Sequence, residues 1–146
     1  MLALTLTSLF VAAPAASPAF GAPAPKLSAS LDPKTLDCGI VPVLSAASCG
    51  AVTLTNTGSS TLFYLLDISA TGPHALDWGA ALDTCSVILS PGQSCAFSVS
   101  FAPQSIGRQS ATLNVTATPW FDQCPCPTIP TVVAKLKVVG VGRSPM

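Results

Sequence analysis

Residues 89–115 read LSPGQSCAFSVSFAPQSIGRQSATLNV, and their alternation decides the fold class. Cys95, Phe97, Val99 and Phe101 occupy one parity and Ala96, Ser98 and Ser100 the other, the period of two expected of a half-buried strand. A second run repeats the pattern. Ala111, Leu113, Val115 and Ala117 face a core, while Thr112, Asn114, Thr116 and Thr118 suit an exposed pleated surface. The octet between the runs, APQSIGRQ, holds Pro103, which presets φ, and Gly107, which permits positive φ, and it predicts a turn joining two antiparallel strands. Upstream, Ser90-Pro91-Gly92-Gln93 has proline and glycine at the second and third places of a type II turn. A strand over residues 85–89 is therefore expected to pair back on residues 95–101.

Toward the N-terminus, residues 26–31 read as an edge strand stopped by Asp32-Pro33. Residues 35–43 carry Leu36, Cys38 and Ile40 on one parity, with Gly39 and Pro42 permitting a bend or a switch between sheets. Val52 and Leu54 alternate with Thr53 and Thr55 before the turn cluster Asn56-Thr57-Gly58-Ser59-Ser60. Residues 62–69 are apolar on both parities, Leu62, Tyr64, Leu66 and Ile68 against Phe63 and Leu65, so both faces of that strand should be covered. Residues 71–82 read as loop and the Pro/Cys-rich residues 119–130 as an insertion. In the last strand, residues 131–140, Val132, Ala134, Leu136 and Val138 face in and Lys135 and Lys137 face out. No apolar period of 3.6 lasts a dozen residues, and seven to nine short strands with regular turn signals predict an all-β sandwich.

The chain's 146 residues suffice for one domain able to bury a core without a cofactor. Charged residues make up 8%, glutamate is absent, and six basic residues balance six aspartates. Being scattered along the chain, they leave no footprint for nucleic acid or an anionic membrane, and both are set aside as partners. Before Lys26 lies MLALTLTSLFVAAPAASPAFGAPAP, an apolar run too short to cross a bilayer. It fits a secretory signal peptide with cleavage before Ala22, although a basic n-region is missing. The expected organisation is a leader over residues 1–21, a linker over 22–26, a sandwich over 27–142 and a tail over 143–146.

Six cysteines in so small a chain indicate an oxidising compartment. Cys85 and Cys95 share the inward parity of neighbouring strands, which predicts a bridge; Cys38 and Cys49 have similar spacing, flank another loop and are paired as well. Closing a loop of about ten residues is worth roughly 2.5 to 3 kcal/mol per bridge. Zinc would call for C-x₂₋₄-C pairs, and Cys124-Pro125-Cys126 is the one close pair. Those two cysteines could bridge each other only in a strained ring, which leaves a bond to another chain open.

The blocks VTLTNTGSSTL (residues 52–62), CSVILSPGQSCAFSVSFAPQSIGRQSATLNV (85–115) and KLKVVGVG (135–142) resemble the bacterial choice-of-anchor D domain, a relative of ASPM/Hydin-type (ASH) domains. The resemblance rests on the ordered combination of N-T-G, P-G-x-S-C, F-x-P-x-x-x-G and a terminal G-x-G. It implies an immunoglobulin-like sandwich similar to major sperm protein and PapD-like domains, and an extracellular, cell-surface or periplasmic structural or protein-interaction module without catalysis. Cys38, Cys49 and the 119–130 insertion depart from the family pattern.

Catalytic chemistry would have to use His74, the single histidine, with Asp77 three residues on, but no nucleophile-elbow glycine pattern accompanies it. Asp67, Asp77 and Asp83 lack the D-x-D-x-D-G order of a calcium loop and read as solvated carboxylates. Asn114-Val115-Thr116 matches a glycosylation sequon but reads as ordinary sheet surface. Trp78, Trp120 and Phe121 fall in loops, and Trp120 and Phe121 with Cys124 and Cys126 form either an aromatic knob for a protein or glycan partner or a cap on the sandwich. The functional expectation is a non-catalytic interaction domain that binds through loops or a sheet edge and needs no cofactor or metal. The alternatives are a periplasmic chaperone or subunit acting by strand donation and a His74-dependent hydrolase.

Overall fold

The computed structural model describes residues 27–59, 63–120 and 130–145. The expected leader and linker, Leu62, Phe121, Cys124 and Cys126 lie outside the described residues, as does the Leu66 side chain. The strands are β1 (Ala29–Asp32), β2 (Thr35–Pro42), β3 (Ala47–Asn56), β4 (Phe63–Thr71), β5 (Trp78–Ala81), β6 (Ile88–Leu89), β7 (Ser94–Phe101), β8 (Gly107–Pro119) and β9 (Thr131–Arg143). They form two sheets, ordered β1-β3-β7-β5 and β2-β9-β8-β4-β6. This is an immunoglobulin-like sandwich. The chain enters through β1 in the first sheet, passes Asp32-Pro33 and crosses to the second, where β2 runs parallel to β9.

Alternation is realised where it was clearest. Phe97, Val99 and Phe101 of β7 and Leu113, Val115 and Ala117 of β8 are buried and supply the centre of the core with Val52, Leu54, Leu136 and Val138. The two runs are nevertheless not a hairpin: β7 pairs with β3 and β5, whereas β8 pairs with β4 and β9. Their apolar faces meet across the core, so residues 102–106 carry the chain from one sheet to the other. Pairing of residues 85–89 with 95–101 also fails. Residues Asp83–Cys85 form a 3₁₀ turn, and β6 joins β4 in the opposite sheet, leaving Val87 exposed. The Thr84 hydroxyl takes the place of a strand there, accepting from the Ala96 N–H at 2.8 Å.

Bulges explain the other parity corrections, because one extra residue turns every later side chain to the opposite face. The register of β2 on β9 shifts between Asp37 and Ile40, so Val41 is buried and Ile40 is 67% exposed. A shift between Val115 and Thr116 likewise turns Val132 outward. Cys38 in β2 and Cys49 in β3 flank the 43–46 connection as expected, and they are bonded, as are Cys85 and Cys95.

The ordered motifs touch one another. Asn56 of N-T-G is buried, donates from Nδ2 to the Leu89 carbonyl at 3.1 Å and exchanges backbone hydrogen bonds with Gly92 and Gln93. It thereby anchors the Pro91-Gly92 turn, which closes through Gln93 N–H to the Ser90 carbonyl at 3.0 Å with Gly92 at φ +83. At the other end of the sandwich, a side chain at Gly140 would meet the Phe101 ring, and one at Gly142 would collide with the Ser105 carbonyl and Pro103. The terminal G-x-G is the clearance that F-x-P-x-x-x-G requires.

Candidate functional site

Strand pairing brings three connections to one end of the sandwich: residues 43–46 after β2, 72–77 after β4 and 102–106 after β7. Hydrogen bonds stitch them together. The Leu44 N–H donates to the Pro103 carbonyl at 3.1 Å, the Ala102 N–H to the Asp77 carbonyl at 2.8 Å, and the Gln104 N–H to Asp77 Oδ2 at 3.4 Å. Gln109, fully buried at the start of β8, adds a 2.6 Å bond from Nε2 to the Ser105 carbonyl. Each connection holds out one large aliphatic side chain: Leu44 is 80% exposed, Leu76 97% and Ile106 69%. Leu44 also sits at φ +68, which costs a non-glycine residue about 1–2 kcal/mol.

The outer face of the five-stranded sheet continues from this end. Its cross-strand rows run Arg108, Val141 and Ile40; then Ser110, Val139 and Asp37; then Thr71, Thr112, Lys137 and Thr35; then Ser69, Asn114 and Lys135. Across the last three rows lies an open groove of about 400 Å³ lined by Lys34, Lys135, Lys137, Thr71, Ser110 and Thr112 among others. The Lys34 carbonyl accepts from the Lys137 N–H at 3.3 Å, which sets these two residues side by side. Among the described residues none of the three ammonium groups is paired with a carboxylate. The outer face of the four-stranded sheet is different, with a groove of about 440 Å³ whose walls are small and uncharged, such as Ala47, Gly79, Ala80 and Ser98.

The residues singled out from sequence are distributed otherwise. His74 Nδ1 accepts a 3.4 Å bond from the Ser110 backbone N–H, and the Asp77 carboxylate is turned to Gln104, so the two do not form a catalytic pair. Asp77 is buried rather than solvated; Asp67 lies exposed on β4, and Asp83 on the 3₁₀ turn. Trp78 belongs to the core, stacked on Phe101 with ring centroids 4.3 Å apart, because the expected loop contains β5. Trp120 is 40% exposed and meets Tyr64 edge to face at 5.9 Å. Asn114 is tied to the Thr71 hydroxyl at 3.0 Å.

Sequence reasoning missed the loop aliphatics and the lysine groove. A lone Leu or Ile in a turn-rich stretch, as in Pro73-His74-Ala75-Leu76, is a signal that alternation counting passes over. Lys34 and Lys137 lie about a hundred residues apart, and nothing local reports their meeting.

Comparison with known proteins places the fold. The chain resembles the ASH/PapD-like domain 7 of human CEP192 with a TM-score of 0.54 and 13% identity over 99% of this chain and 100% of that one. It resembles SSP-19, an MSP-domain protein of Caenorhabditis elegans, at 0.52 and 12% over 77% and 98%. The Vibrio cholerae VesB protease matches at 0.51 and 19% over 79% of this chain, a match that spans 31% of the protease. No curated protein matches. The model of HYDIN/CFA65/VesB-like Ig-like domains matches residues 25–121, and the chain belongs to that family.

Proposed function

We propose that this chain is a non-catalytic protein-interaction domain of an oxidising compartment outside the cytoplasm, binding its partner through the three-loop end. The observation that carries this reading is the set of exposed aliphatics, Leu44, Leu76 and Ile106, held on three connections of which 102–106 is hydrogen-bonded to both of the others. Loops at the ends of such sandwiches are where binding residues are placed on a rigid scaffold. Two disulfide bonds support the compartment, and with it the leader over residues 1–21 and a mature chain starting near Ala22. The choice-of-anchor D resemblance belongs to this reading and rests on the same ordered motifs.

Strand donation at the free edge of β2 is less well supported. A bulge between Asp37 and Ile40 and the proline at position 42 interrupt the row of main-chain groups an added strand would need. Hydrolysis is less well supported still, because His74 spends Nδ1 on a backbone N–H and the VesB match covers a minor part of that protease.

Photo-cross-linkable residues introduced singly at Leu76, Ile106 and Ala81 test the reading in the native periplasm or culture medium. One protein should cross-link from Leu76 and Ile106 and not from Ala81, which lies on the edge strand of the other sheet. Cross-linking from Ala81 alone, or a hydrolytic activity that His74→Ala abolishes, overturns it.

A further inference from the structure

The groove on the outer face of the five-stranded sheet lies next to the three-loop end, since its wall includes Gly72 and Pro73 at the root of the 72–77 connection. Its charge is out of proportion to the chain. Of six basic residues in 146, three, Lys34, Lys135 and Lys137, border this one depression. Among the described residues no carboxylate forms an ion pair with them, and the nearest on the same face of β2, Asp37, stands one row away opposite Val139. The remaining polar wall is hydroxyl groups: Ser110 and Thr112 can donate to an oxyanion, while Thr71 already donates to the Thr112 carbonyl. We propose that this groove receives an extended acidic segment of the protein partner, with carboxylates at alternate positions paired to Lys135 and Lys137. The proposal rests on the interaction reading above and specifies the chemistry of what is bound.

Spacing favours a peptide. Lys135 and Lys137 project from the same face of one strand two residues apart, about 7 Å at the usual strand rise. Alternate side chains of an extended peptide repeat at that distance, so successive acidic residues meet successive lysines. Lys34, beside Lys137 across the β2/β9 pair, widens the positive strip in the direction perpendicular to the peptide. A lipid surface would fit the apolar loop tips, but it would have to reach the lysines around the end of the sandwich. Lys135 lies one row further from that end than Lys137 and three rows beyond Val141. Sugars are usually held by an aromatic platform, and the groove wall has none.

The test uses a fluorescein-labelled peptide of alternating threonine and aspartate, titrated at low salt with the full chain and followed by anisotropy. Binding should saturate, weaken as salt is raised, and fall about tenfold or more in the Lys135→Glu/Lys137→Glu variant. Lys135→Gln/Lys137→Gln should give a smaller loss, and an unchanged melting temperature in both variants shows that the fold is intact. The inference is overturned by absence of binding, by binding that ignores both variants, or by preference for a threonine/lysine peptide. Lysine-dependent capture by phosphatidylserine-containing vesicles in place of the peptide also overturns it. Loss of peptide binding with cross-linking from Leu76 and Ile106 preserved removes this inference alone; loss of that cross-linking removes the interaction reading beneath it.

Discussion

The two disulfide bonds span nearly the same length of chain, 10 residues from Cys85 to Cys95 and 11 from Cys38 to Cys49, in opposite surroundings. Cys85 and Cys95 are buried in the core beside the turn that Asn56 anchors. Cys38 and Cys49 are half-buried and tie the edge strand β2 to β3 in the other sheet. Chain entropy assigns both bonds roughly 2.5 to 3 kcal/mol. Any difference in what they contribute therefore measures surroundings, not loop length.

The largest effect is expected where packing adds to entropy. Replacing Cys85 and Cys95 together by alanine should lower the unfolding free energy by about 4 to 5 kcal/mol, since buried sulfurs leave a cavity as well as a longer free chain. Urea denaturation measures it. The Cys38→Ala/Cys49→Ala pair should cost about 2.5 to 3 kcal/mol in the same assay, and mild reductant should open this bond first because its sulfurs are reachable. Equal losses for the two pairs would break the comparison.

A smaller effect sharpens it. Asn56→Ala leaves the buried Leu89 carbonyl without its donor and should cost about 2 kcal/mol. In the chain lacking Cys85 and Cys95 that cost should shrink, because both changes act on the same turn and their effects are coupled. Strict additivity in a double-mutant cycle would show that the turn and the bond act independently. His74→Ala lies away from both bonds and should change stability by no more than about 0.5 kcal/mol, the loss of one long bond to Ser110.

Much of this was legible from residue alternation, and the limits have a physical cause. Alternation reports which side of a strand meets the core, so Phe97, Val99, Leu113 and Val115 were assigned to the interior correctly. It does not report which strand lies alongside. The β7 to β8 crossover therefore reads locally like a hairpin, and residues 85–89 like a third member of it. Bulges near Cys38 and after Val115 add a residue whose effect on facing is visible only once the partner strand is known. The candidate site was less legible because it is made of exceptions. Leu44, Leu76 and Ile106 break the rule that turns are polar, and the lysines converge through pairing of β2 with β9, a contact between the two ends of the sandwich's sequence.

That parallel pairing determines how the domain responds to force. Once β1 has parted from β3, tension applied through the two termini pulls β2 and β9 lengthwise in opposite directions, so the Thr35↔Lys137 to Asp37↔Val139 part of the ladder is loaded in shear and its hydrogen bonds must yield together. An antiparallel terminal pair would instead unzip one bond at a time. The Cys38–Cys49 bond passes part of the load from β2 into β3 and hence into the opposite sheet. Stretched between two anchor points, the oxidised domain is a stiff link, and reduction of the half-buried Cys38–Cys49 bond lowers the force at which it lengthens.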